Sequence, residues 1–164
     1  MIFKSTLIII LLISISANAF QNEPTGFRGI SWGTDISKLE NMKLSTPGNT
    51  PSYEKIGEKF KIGDADLENV YYITYKNKLF MIQIPFKYLF SFSRIKNTFF
   101  EQYGAVEKAQ IFPEKYIWTG KNIHISLDYN EITEEGSIFY IYQPIFKLKD
   151  KADKEKAKKA ASDL

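Results

Sequence analysis

From Leu79 to Gly104 the chain reads LFMIQIPFKYLFSFSRIKNTFFEQYG, and its hydrophobic period changes within that stretch. Phe80, Ile82, Ile84 and Phe86 alternate with Leu79, Met81, Gln83 and Pro85, the period of two expected of a strand. Pro85 marks an edge, a bulge or the strand's end, because proline brings no N–H to a ladder. Past Ser91 the spacing turns helical. Phe92, Ile95, Phe99 and Tyr103 form one apolar stripe, with Gly104 placed to cap it. A strand running into an amphipathic helix predicts a sheet with a helix laid on it.

Working outward, Asn69–Tyr75 pairs with Leu79–Phe86 as a hairpin through Lys76-Asn77-Lys78, and Lys59–Ile62 reads as a short strand before Gly63-Asp64. Downstream, Ala109–Phe112, Lys115–Thr119, Asn122–Tyr129 and Ser137–Gln143 read as strands, with a tight turn at Gly120-Lys121 and a longer one over Asn130–Gly136. In Asn122–Tyr129 the residues Ile123, Ile125, Leu127 and Tyr129 face a core, while His124, Ser126 and Asp128 form a polar outer face. Toward the N-terminus, Phe20–Thr25 is a polar leader, and Thr34 or Asp35 caps a short helix carrying Ile36, Leu39 and Met42. Ser45–Ser52 (STPGNTPS) is a loop broken by proline and glycine. This order predicts one α+β domain over residues 20–146: a mainly antiparallel sheet of about five to six strands with helices packed on one face. A charged Lys/Ala-rich helix or tail follows over residues 147–164, where Asp150–Lys154 and Glu155–Lys159 stand at i, i+4.

Met1–Ala19, MIFKSTLIIILLISISANA, has the three parts of a secretory signal peptide: Lys4, the apolar run Leu7–Ile15, and Ala17-Asn18-Ala19 as a cleavage site. The apolar run falls short of the roughly 20 residues of a spanning helix, and no cysteine follows it for lipid attachment. The expectation is export to the periplasm or beyond, with cleavage near Ala19 and no transmembrane span in the mature chain. Residues 147–164 carry seven lysines against four acids, which leaves residues 20–146 near −1. The overall charge of +3 therefore belongs to the tail and gives no basic face for nucleic acid.

The composition narrows the chemistry. There is no cysteine and one histidine among 164 residues, so thiolate chemistry, Cys-ligated metals and disulfides are excluded and His-based catalysis is disfavoured. His124, Ser126 and Asp128 invite a triad reading, but residues two apart on one strand stand roughly 6–7 Å apart, too far for consecutive hydrogen bonds. Asp64-Ala65-Asp66-Leu67-Glu68 opens like a calcium loop, yet Asn69 and Tyr75 stand where the motif needs Gly and Glu. Glu134 and Glu135 fall in a hairpin loop, away from the cleft that paired acids need to separate their pKa values. No catalytic residue, metal site or cofactor is assigned on these grounds.

Aromatic residues are the informative excess, at 15% of the chain. A ring-packed core absorbs most of them; the remainder suit an aromatic groove for a lipid, glycan or protein segment. Arg28, Trp32, Tyr71, Trp118 and Tyr140 are the binding candidates. The segment GFRGISWGTDISKL from Gly26 resembles the start of the mature domain in a group of uncharacterised bacterial exported proteins that carry GFRGI-x-WGT. The likeness extends to KIGDADL (Lys61–Leu67), FFEQYG (Phe99–Gly104), YIW (Tyr116–Trp118) and LDYNEI (Leu127–Ile132). The resemblance implies a small periplasmic domain of unassigned activity and brings no functional residues. The expected function is a non-catalytic binding or accessory module of the bacterial envelope, its partner an envelope protein, lipid or glycan. The alternatives are an envelope-polymer hydrolase using carboxylates such as Asp64, Asp66 or Asp128, and a structural partner pairing through a sheet edge.

Overall fold

The computed structural model describes residues 20–162, so the signal segment expected over 1–19 lies outside the described residues. Twelve strands and two α-helices follow in order: β1 (Gly26–Phe27), β2 (Ile30–Ser31), β3 (Met42–Thr46), β4 (Ser52–Lys55), β5 (Lys61–Ile62), β6 (Ala65–Asp66), β7 (Tyr71–Tyr75), β8 (Lys78–Lys87), α1 (Leu89–Tyr103), β9 (Lys108–Gln110), β10 (Glu114–Thr119), β11 (Ile123–Asn130), β12 (Glu135–Tyr142) and α2 (Gln143–Ser162). Eight strands form one antiparallel sheet in the order β3-β4-β7-β8-β12-β11-β10-β9, and β1-β2 and β5-β6 are separate two-stranded ribbons. The α+β class stands, but the sheet has eight strands rather than five or six. The extra pair, β3 and β4, is polar and half-buried to exposed, so it shows no apolar alternation.

The short helix expected after Asp35 shrinks to a 3₁₀ turn over Ile36–Lys38, capped by the Asp35 carboxylate accepting from the Ser37 N–H. Met42 opens β3 instead of extending that helix. Lys59–Ile62 shortens to β5, which pairs with β6 outside the main sheet.

Lys76 and Asn77 both take positive φ, 50° and 61°, and close the β7–β8 hairpin as a two-residue turn between Tyr75 and Lys78. The register slips once, where Thr74 faces Leu79 and Ile73 faces Met81. Phe80 is the extra residue, and Leu79 and Phe80 are both fully buried, so the strict alternation read over this stretch breaks there. Pro85 sits in a central strand without breaking its ladder. Its carbonyl accepts from the Glu68 N–H on the β7 side, past the β7 residue Tyr71. The missing N–H faces the same way, into a stretch where β7 has already ended.

The α1 stripe of Phe92, Ile95, Phe99 and Tyr103 is buried, and Gly104 ends the helix with its N–H on the Phe100 carbonyl. Opposite lie the alternating residues of four strands: Ile82, Ile84 and Phe86, then Ile138 and Tyr140, then Ile125, Leu127 and Tyr129, then Tyr116 and Trp118. Phe92, Phe86 and Tyr129 stack nearly parallel, with centroids 4.7 Å apart for Phe92–Tyr129. By contrast, α2 buries none of its residues and lies beside β8 and β12, so only α1 contributes a buried helical stripe.

Candidate functional site

Arg28 lies in the turn between β1 and β2 with φ at 47°. Its guanidinium donates to Glu58 Oε1 at 2.6 Å, to the Lys61 carbonyl at 2.7 Å and to the Lys59 carbonyl, and it sits over the Phe27 ring. Glu58, its side chain only 6% exposed, also accepts from the hydroxyl of fully buried Tyr72. Burial disfavours the Glu58 charge, but the Tyr72 hydroxyl, Arg28 and the Lys59 N–H outweigh it and hold the carboxyl below its ordinary range. Arg28 is thus a clasp between the first ribbon and the Glu58–Lys61 segment. Three of its five N–H donors are engaged in that clasp.

Trp118 and Tyr140 are core residues, 1% and 4% exposed. Trp118 donates its indole N–H to the Gly104 carbonyl at 2.8 Å and packs edge-on against Phe99 and Phe100. Tyr140 meets the Tyr103 hydroxyl at 3.3 Å. Both side chains pack within the core. Tyr71 lies half-buried on the sheet face opposite α1, opposite Gln83 and away from the other four candidates.

Trp32 is different, because it borders solvent. Its ring stacks on Tyr142 at 6.3 Å and 11° and on Tyr140 at 6.5 Å, and its indole N–H donates to the Pro24 carbonyl at 2.8 Å. Beside it opens a cleft of about 250 Å³ lined by Glu23, Pro24, Thr25, Trp32, Asn122 and Tyr142. The segment read as a polar leader builds one wall. Glu23 accepts from the backbone N–H groups of Lys121, Asn122 and Ile123 at 3.0, 2.5 and 2.7 Å, and the Gln21 N–H bonds the Tyr103 carbonyl. Burial works against the Glu23 charge, but those three amides lower its pKa overall. Of the residues lining this cleft, the sequence offers Trp32 as a candidate and gives no sign of Glu23, Thr25, Asn122 or Tyr142. A lone acid before a glycine-aromatic segment carries no signal that it will cap a turn a hundred residues away.

The opposite end of the sheet has a second feature. The pairs Glu114–Tyr129, Asn130–Glu135 and Glu135–Lys87 place three connections side by side: β9–β10, β11–β12 and β8–α1. Each carries large apolar side chains into solvent. Ile111 and Phe112, Ile132, and Tyr88, Leu89 and Phe90 are between 52% and 85% exposed. Around them the basic side chains pair with acids, Lys87 with Glu68 at 3.3 Å, Arg94 with Asp64 at 3.2 Å and Lys108 with Glu114 at 2.9 Å, while Glu131, Glu134 and Glu135 flank Ile132 without an ion-pair partner among the described residues.

The acids singled out in sequence do not converge. Asp64 pairs with Arg94, Asp66 with Lys61 and Asp128 with Lys115, each at a separate place. Ser126 is buried rather than on a solvent face, and His124 meets the Thr119 hydroxyl at 3.3 Å. Among the described residues no group of three His, Asp or Glu side chains is placed to hold a metal, and no helix is long and apolar enough to cross a membrane. No family model, curated protein or solved structure matches the chain.

Proposed function

We propose that the protein is an exported, non-catalytic accessory module of the bacterial envelope that docks on a lipid surface through the loop end of its sheet. The observation that carries this reading is the gathering of six exposed large apolar side chains on two loops and the neighbouring start of α1. Scattered surface hydrophobics need no explanation, but a contiguous cluster marks an interaction surface. Here the side chains stand on separate loops and the first turn of α1 rather than lining a groove. A protein partner would need a matching pocket for each tip, whereas a fluid interface receives them individually. Aromatic and aliphatic tips together suit the headgroup–acyl boundary. The signal-like segment Met1–Ala19 supports an envelope setting, and the GFRGI-x-WGT likeness points the same way.

Because the basic side chains at this end are paired with acids, docking rests on apolar insertion rather than on attraction to anionic lipid. The test is cosedimentation of the purified protein with phosphatidylcholine vesicles at low and high salt. Binding that persists in high salt is expected, and Leu89→Ser, Phe112→Ser and Ile132→Ser together should abolish it without moving the thermal midpoint. Absence of binding would sink the reading. So would binding that disappears in high salt and on removal of residues 148–164, because the lysine-rich tail would then be the tether.

A further inference from the structure

The cleft beside Trp32 lies at the other end of strand β12 from the docking loops, about 23 Å away at the usual strand rise, and that reading does not use it. We infer that this cleft is a binding site for a neutral sugar, taking one pyranose ring against the aromatic surface of Trp32 and Tyr142. The two rings lie within 11° of parallel with centroids 6.3 Å apart, so Tyr142 backs the Trp32 indole and fixes its orientation at the cleft wall. A pyranose offers a face of C–H groups carrying slight positive charge, the complement of the negative face of an aromatic ring. Its hydroxyls radiate around the rim and require donors and acceptors there. Thr25, Asn122 and Tyr142 in the cleft lining carry both kinds.

Size and charge point the same way. At about 250 Å³ the cleft falls below the range of roughly 300–1,000 Å³ typical of pockets for drug-sized ligands. One ring unit fits it better than an extended ligand. Glu23 in the wall repels anions, while its oxygens are already committed to three backbone amides, which weakens its pull on a cation. The Trp32 indole N–H is held by the Pro24 carbonyl, so the indole face is fixed before any ligand arrives.

The chain's two tryptophans provide the test. Trp118 is buried and serves as an internal reference for Trp32. The indole N–H resonances are followed while glucose, galactose or N-acetylglucosamine is added in the millimolar range, with adenosine as a planar aromatic control. A saturable shift of the Trp32 signal alone is expected, with saturation transfer to the C–H protons of one sugar face. Trp32→Ala should abolish binding. Asn122→Ala retains the backbone amide that holds Glu23, so it should weaken binding about fivefold with an unchanged thermal midpoint. The inference falls if none of the three sugars shifts Trp32, if Asn122→Ala binds like the parent protein, or if adenosine binds more tightly than the sugars. Vesicle binding is read separately and does not depend on this outcome.

Discussion

A Cβ built on Gly136 would stand 2.2 Å from Cζ of Phe86 and 2.6 Å from the Asp128 carbonyl oxygen. Phe86 lies directly across from Gly136 in the sheet, and Tyr129 pairs with it from the other side. The glycine therefore leaves the space into which the Phe86 ring folds flat, parallel to Tyr129 and Phe92. In sequence Gly136 reads as the last residue of a loop, but it belongs to β12. Gly136→Ala is expected to destabilise by about 1–3 kcal/mol through overpacking, with chemical denaturation as the measurement. A neutral result would mean that the Phe86 ring can rotate away at no cost.

Burial ranks the core substitutions. Phe99 touches Tyr103, Trp118 and Tyr140, so Phe99→Ala should cost about 3–5 kcal/mol. His124 is half-buried on the opposite sheet face and bonds only the Thr119 hydroxyl among the described residues, so His124→Ala should cost less than about 1 kcal/mol. Urea titrations of the two variants test the ranking.

Glu58 ties stability to pH. Its folded pKa lies below the ordinary value because Tyr72, Arg28 and the Lys59 amide outweigh its burial. A depressed carboxyl contributes stability fully above the unfolded pKa of about 4.3, and that contribution disappears as the pH falls through the lower folded value. Glu58→Gln should therefore cost about 1–3 kcal/mol at pH 7, and the gap from the parent protein should close in acid. Denaturation midpoints of both proteins at neutral and acidic pH decide it; a gap independent of pH would assign the loss to packing alone.

Helix α2 divides into a docked start and a solvated remainder. The Gln143 N–H bonds the Asn122 carbonyl, and Ile145 approaches Gly33. From Lys154 onward every described residue is exposed. Removal of residues 154–164 should change stability by less than about 0.5 kcal/mol, whereas removal from Gln143 should cost measurably more. Thermal scans of the two truncated chains make the comparison.

Legibility followed the reach of the interactions. The α1 stripe, its Gly104 cap and the strands from Asn69 onward are local patterns, written in side-chain periodicity within a dozen residues. Strands β3 and β4 escaped because polar residues on an outlying pair of strands carry no alternation, and the bulge at Phe80 escaped because a register slip exists only between two strands. Among the candidate residues, aromatic type alone could not separate Trp32 from Trp118. One borders the cleft and the other fills the core, and that difference comes from which strand or leader packs beside each.

By itself, then, the sequence determined the α+β class, the amphipathic helix, most strand positions, the charged tail and the absence of cysteine chemistry. All of these depend on residue type and near-neighbour spacing. Only the tertiary structure decided that Glu23 reaches the turn at Lys121–Ile123 and that Arg28 is bound to Glu58. The same holds for the loops bearing Tyr88, Phe112 and Ile132, which stand together at one end of the sheet. Those relationships join segments tens of residues apart, and antiparallel pairing brings them together through backbone hydrogen bonds that, proline aside, do not depend on residue type.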